Sequence, residues 1–421
     1  MYIFYLLVFV MPLDQHWFWG WEILPTLTIV KCLGLVCFAG ALIKAASGKA
    51  PSRLFYRNSV ARWFLASMVF LTLGALRSQV EVRSVSHSHL ASILILFLTV
   101  LLIVDSPIRF HRTVLVAIGA AAFASLYTIR AGSTYTGVAS IDGFRPAGIF
   151  TDANQYALVV DLWVPVAFLL ALSKRPSWER LFCFGCLVAT LIGTILAASR
   201  GGVLGLLASV LYLVMRSQKP SRNLLIATAV MLPLILLSPS SLMRRIKNPA
   251  LGDRQAEDSR IWAWKGGLKM MRTHPLLGIG MHNFKGSILQ YEEPDEQVKS
   301  VAHNSYIEIG AEDGIPALLV YVGFLGATFW MLERCRRRLR RANLTLFSDI
   351  ALGLQAGLIS YIISSFFMSA WWEKIFWLLI FLTMCMHQVT FQLLKAVSRE
   401  RITAAARENP GLNESAYATL E

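Results

Sequence analysis

Apolar runs long enough to cross a hydrocarbon layer recur along almost the whole chain, and this constrains the fold more than any other feature. A helix needs about 20 apolar residues to traverse a core of roughly 30 Å, because lipid offers no partner to exposed backbone N–H and C=O groups. Such runs fall near 2–13, 24–46, 60–77, 89–104, 113–130, 155–172, 181–198, 202–215, 224–238, 314–333, 349–369 and 374–396. With 56% of residues hydrophobic and 15% charged, the composition lies outside that of soluble domains. The chain reads as one all-α polytopic membrane domain over 1–421 with about 12 transmembrane helices. The first run is short, and only "ASRGG" separates the seventh from the eighth, so one crossing more or fewer fits equally well.

Basic residues near span ends are retained on the cytoplasmic side. Alternate connections here are unequal: one set holds "SGKAPSRLFYRNSVAR", "DSPIRFHR", "SKRPSWER", "RSQKPSR" and "RCRRRLRR", while the other carries few cations. Both termini are therefore expected in the cytoplasm, with 397–421 a cytoplasmic tail. The 40 Lys and Arg against 25 Asp and Glu give a net charge of +15. In a soluble protein that excess would suggest nucleic acid. Topology accounts for most of it here, and no nucleic-acid partner is expected.

The six cysteines lie in predicted spans or on the cytoplasmic side, so no disulfide framework is expected. "CFGC" at 183–186 sits inside an apolar run and reads as packing. The N-terminal "MYIFYLLVFVMPL" lacks a basic n-region and a small-x-small cleavage site, and reads as a first span.

One long interruption, 239–313, is expected between spans 9 and 10 on the outer, periplasmic face. Loops of this length are functional or disordered, and its composition favours structure. "SRIWAWKGGLKMMRTHPLLGIG" places Ile261, Trp264, Leu268 and Met271 at helical spacing, ahead of a His-Pro stop and a glycine-rich turn.

Arginines mark that outer face. Arg145 in "GFRPAGIFTDANQYA", Arg200 in "ASRGG" and Arg260 in "DSRIWAW" sit at predicted membrane boundaries, on the side where positive charge is disfavoured. A guanidinium is always charged and offers a planar fork of donors matched to phosphate oxygens. Each arginine alone reads equally as a snorkelling cation or the partner of Asp142, Asp152 or Asp258. Three at one face point to a polyanionic ligand.

His303, in "AHNSYIEIGAEDG", is the candidate base. Most loop histidines are ordinary surface residues, and His274 and His282 are assigned structural roles. A helix beginning near Ala302 would put His303, Ile307, Gly310 and Gly314 on one stripe. A neutral imidazole can take a proton from a hydroxyl at physiological pH. Asn304 and Gly314 would support it, and Glu308, Glu312 or Asp313 could orient it; spacing does not choose among them. D-x-D, phosphate-loop and H-E-x-x-H patterns are absent, and the loop histidines lack ligand spacing. Neither metal nor cofactor is expected.

These segments resemble the O-antigen ligase and polymerase superfamily of bacterial inner-membrane glycosyltransferases over about residues 60–395. The ligase pattern runs His, Asn/Ser/Gln, nine residues, Gly, two residues, Gly/Thr/Tyr; here it reads His303, Asn304, nine residues, Gly314, Ile315, Pro316, Ala317, departing only at the last position. The stretch from Ser259 and Arg260 to Gly280, and "SRGG", are also similar to the family's pattern. The resemblance implies an undecaprenyl-diphosphate-linked O-antigen as donor and a hydroxyl of lipid A-core oligosaccharide as acceptor. His303 would be the general base, and Arg145, Arg200 and Arg260 would clamp the pyrophosphate. An O-antigen polymerase, extending lipid-linked glycan, is the rival within the fold. A lipid-linked glycan transporter is the rival outside it, disfavoured because Lys31 and Asp161 are nearly the only charges within the spans and neither paired broken helices nor an inverted repeat appears.

Overall fold

In the computed structural model the described residues are 1–13, 28–49, 58–135, 152–174, 176–217, 251–292 and 300–408, with 221 and 225. Among them the chain is helical and contains no strand. The principal helices are α1 (Tyr2–Val10), α2 (Ile29–Lys44), α3 (Ser59–Leu76), α4 (Val80–Ile103), α5 (Pro107–Tyr135), α6 (Ala153–Asp161), α7 (Val164–Leu172), α8 (Ser177–Leu196), α9 (Arg200–Met215), α10 (Leu251–Thr273), α11 (Phe284–Ser287), α12 (Ser305–Glu312), α13 (Ile315–Arg341), α14 (Thr345–Ser364) and α15 (Lys374–Glu408).

Nine described helices are long and apolar enough to cross a membrane, with α6 and α7 forming one crossing between them. They coincide with nine of the expected runs. The run at 2–13 becomes a nine-residue helix and a 3-10 turn, and 202–215 becomes the 16-residue α9. The run at 224–238 lies outside the described residues, apart from Leu225.

The fifth crossing is broken. α6 ends at Asp161, Leu162 and Trp163 form a turn, and α7 restarts with Pro165 in its first turn, where its missing N–H costs nothing. Asp161, one of the two intramembrane charges of the sequence, is fully buried beside the break and accepts a hydrogen bond from Thr194 of α8 at 2.7 Å.

Helices in lipid associate through packing rather than through a hydrophobic driving force. The bundle uses aromatic rings for this: Phe64 of α3 meets Phe97 of α4 at 4.4 Å between centroids, Phe381 of α15 at 5.3 Å and Trp377 of α15 at 5.7 Å. α14 lies inside, against α7, α9, α13 and α15.

The two ends of the bundle differ in charge. At one end Lys44 pairs with Asp105, Arg109 with Asp105 at 2.8 Å, and Glu333 gathers Arg216, Arg336 and Arg337. The other end collects the α3–α4 turn, the start of α6, the α8–α9 turn, the segment from α10 to α12, and the α14–α15 turn.

The expected helix after Ser259 exists as part of α10, and the four spaced apolar residues divide: Trp264 and Met271 are half-buried. Ile261 and Leu268 are exposed, whereas Ala263, Gly266, Gly267 and Met270 face inward. The inward face is built of small residues because Phe284, Ile288 and Ile307 lie directly against the Gly266–Gly267 backbone. Ile261 and Leu268 are left on the outside of this helix, while Met270, Met271 and Trp264 pack on its other sides.

Candidate functional site

The segment after α10 is stitched on two sides. His274 and Pro275 end the helix, and the following turn bonds back to the end of α12: Ile279 N–H donates to Ala311 O at 2.9 Å, Gly280 N–H to Glu312 O at 2.8 Å, and Ile315 N–H to Pro275 O at 2.8 Å. On its other side Met281 N–H donates to Gly74 O at 3.0 Å, and the Ser78 hydroxyl to Met281 O at 2.8 Å. Gly278 and Gly280 have positive φ of 59° and 100°, and a Cβ on either would collide with the backbone of Glu312 or Arg77. This is the physical content of "HPLLGIG".

α12 is held against the α14–α15 turn. Ser305 N–H donates to Ser365 O at 2.9 Å, the Ser305 hydroxyl to Met368 O at 2.8 Å, and the Tyr306 hydroxyl to Ile362 O at 2.9 Å. Asn304 is the N-cap; its Oδ1 accepts from Tyr306 N–H at 2.9 Å and Ile307 N–H at 3.1 Å. His303 thus stands one residue before the cap, with φ of 46°, a conformation uncommon for a side-chain-bearing residue. It does not share a helical stripe with Ile307, Gly310 and Gly314, because the helix starts at Ser305 and ends before Gly314. Gly314, at φ 94°, instead makes the tight joint between α12 and α13.

The residue before His303 is fixed independently: the Trp264 indole N–H donates to Ala302 O at 2.8 Å. His303 is half-buried, and its Nδ1 is buried without a hydrogen-bond partner among the described residues. Burial lowers its pKa below the usual histidine value, Arg260 lowers it further, and Asp152 opposes both. Arg260 and Asp152 therefore both lie within electrostatic reach of the imidazole.

The carboxylates expected to orient His303 are engaged elsewhere. Glu308 faces Ser369 and Trp371, Glu312 accepts from Phe284 N–H at 2.9 Å, and Asp313 lies against Gly74 of α3. All three are fully buried, and desolvation pushes each well above the carboxylate range. Glu308 and Glu312 lie on α12 and Asp313 at its C-cap, a buried acidic layer. The carboxylate whose charge raises the His303 pKa is Asp152.

Asp152 caps α6, its Oδ1 accepting from the Asn154 and Gln155 N–H groups. Asn154 Oδ1 in turn accepts the Ser199 hydroxyl at 2.9 Å, and Ser199 caps α9, whose first residue is Arg200. Gly202 follows because a Cβ there would press on Ala157 of α6. Gln155 Nε2 donates to Glu373 at the start of α15. The structure thus brings His303, Arg260 and the start of α6 together, and ties Arg200 to that start through Ser199. Arg145 lies outside the described residues.

Asp152, Asn154, Gln155 and Glu373 were not expected as site residues. "TDANQ" does carry the signal of a helix cap, an Asp followed by a helix-forming run. Nothing in "WWEK" singles out Glu373. Among the described residues, no group of His, Cys, Asp and Glu side chains is arranged to hold a metal ion.

A protein-family model described as O-antigen ligase matches residues 185–322, the stretch from α8 into α13 that carries Arg200, Arg260 and His303. Over this stretch, about a third of the chain, the sequence is similar to that family. Comparison with curated proteins gives no match. The ligase-family segment ends before Glu373 and begins after Asp152, so the site described here draws on residues flanking it on both sides.

Proposed function

We propose that this protein transfers O-antigen glycan from undecaprenyl diphosphate to a sugar hydroxyl of lipid A-core, on the periplasmic face of the bacterial inner membrane. One observation carries the reading: within a segment matching the O-antigen ligase family, His303 and Arg260 lie within electrostatic reach of each other, at the end of the bundle opposite the basic Glu333 cluster. That basic end is the one expected to face the cytoplasm.

In this reaction the acceptor oxygen attacks the anomeric carbon of the donor and its proton passes to neutral His303. The bond from that carbon to the diphosphate oxygen breaks, and undecaprenyl diphosphate leaves. Arg260, Arg200 and Arg145 supply fixed positive charge to the leaving diphosphate, the part of the transition state that most needs stabilising. Direct attack inverts the anomeric centre. Asp152 stabilises the imidazolium formed when His303 takes the proton. No metal or cofactor enters this scheme.

The test is reconstitution of purified protein in liposomes with lipid-linked O-glycan and lipid A-core, comparing wild type with His303→Ala. Ligated lipopolysaccharide from wild type alone supports the proposal. Lengthened lipid-linked glycan instead identifies a polymerase, and full activity of the variant overturns the role given to His303.

A further inference from the structure

A groove of about 180 Å³ opens between α1, α2 and α4. Its walls are apolar, with Leu7, Leu35 and Leu96 among them, and two lysines line it, Lys31 in the first turn of α2 and Lys374 at the first residue of α15. Both lysines lie within electrostatic reach of His89, so they share one level of the bundle. From Ser88, near that level, to Thr99 the α4 wall runs about 16 Å at 1.5 Å per residue. That is close to half the thickness of a hydrocarbon core, the depth of one leaflet.

A further observation points to an occupant. Gly34 also lines the groove, and a Cβ built there meets nothing within 4 Å. At Gly34 the α2 backbone is thus bare, beside two cations and an apolar slot.

We propose that this groove binds an anionic glycerophospholipid, one acyl chain lying along α4 and the phosphate resting between Lys31 and Lys374. Ammonium groups serve here as point charges, suited to a single phosphodiester, whereas a diphosphate is better met by the planar forks at the His303 site. The bound lipid fills the seam between α2 and α4. Its headgroup borders the candidate site, since Lys374 follows Glu373, the partner of Gln155. Occupancy of the groove is independent of glycosyl transfer.

The full chain, reconstituted in nanodiscs of mixed phosphatidylglycerol and phosphatidylcholine and released for native mass spectrometry, is expected to retain one phosphatidylglycerol. Lys31→Gln with Lys374→Gln is expected to reduce its preference over phosphatidylcholine by roughly tenfold or more. Gly34→Leu, which leaves both charges in place, is expected to abolish retention by filling the slot, while a thermal melt shows that the variant remains folded. Equal retention of the two lipids by wild type overturns the proposal, as does undiminished retention by a folded Gly34→Leu. Displacement of phosphatidylglycerol by stoichiometric undecaprenyl phosphate also overturns it, by assigning the groove to a substrate lipid.

Discussion

The Trp264 indole and the Ala302 carbonyl are joined at 2.8 Å, so a helix of the long loop grips the chain one residue before His303. This bond links α10, which carries Arg260, to the segment that carries the imidazole. Trp264→Phe keeps the ring and removes the donor. The stability cost is about 1 kcal/mol, the net worth of one such bond. A larger loss, of about tenfold or more, is expected in turnover, because slight misplacement of a reacting group slows chemistry disproportionately. A variant with reduced thermal stability but unaltered turnover would show that Trp264 supports only the fold.

Asn304 satisfies two N–H groups at the start of α12 and so sets where the helix begins. Asn304→Ala is expected to cost about 1 kcal/mol, whereas Asn304→Asp, which keeps an accepting oxygen, retains most of the stability. Both are read by thermal unfolding in detergent. Equal destabilisation by the two variants would argue against the capping role.

The layer formed by Glu308, Glu312 and Asp313 makes stability depend on pH. Burial raises all three in the folded chain, so the folded state holds protons that the unfolded state has released. Stability is then greatest below the unfolded carboxylate pKa and falls as pH rises through the folded values. The melting temperature is expected to decline from pH 7 to pH 9, above the range in which the buried histidines titrate, and Asp313→Asn, neutral at every pH, to flatten that decline. A melting temperature that rises over this interval would contradict the protonated layer.

The fold was legible because spanning lipid admits few solutions: nine of the expected runs are helices, and the His-Pro stop and the glycine turn stand where the pattern placed them. What escaped was set by tertiary packing. The inward face of α10 was not legible from its apolar spacing, since close approach to Phe284 and Ile288 selects glycine rather than leucine there. The break between α6 and α7 was not anticipated, although Pro165 permits it. His303 and Arg260, both named from the sequence, lie within electrostatic reach of each other, but the carboxylate near the imidazole comes from Asp152, about 150 residues away. Glu308 and Asp313 are neighbours of His303 in sequence only, because a helix cap and a tight glycine joint turn their side chains toward α3 and the α14–α15 turn.

Asp152 and Arg260 act on His303 with opposite sign, which gives the last prediction. A general base works in its neutral form, so turnover rises with pH through the pKa of His303 and then levels. Burial and Arg260 lower that pKa and Asp152 raises it. Asp152→Asn is therefore expected to move the rising limb to lower pH, and Arg260→Gln to higher pH, alongside a fall of about 100-fold or more in the plateau if the guanidinium also stabilises the leaving diphosphate. Rate profiles from pH 4.5 to 8.5 separate the two effects, since the position of the limb reports the charge near the imidazole and its height reports charge at the leaving group. Limbs that coincide in all three proteins would mean that the titrating group is not His303. Shifted limbs with unchanged plateaus would keep the base and remove Arg260 from the diphosphate.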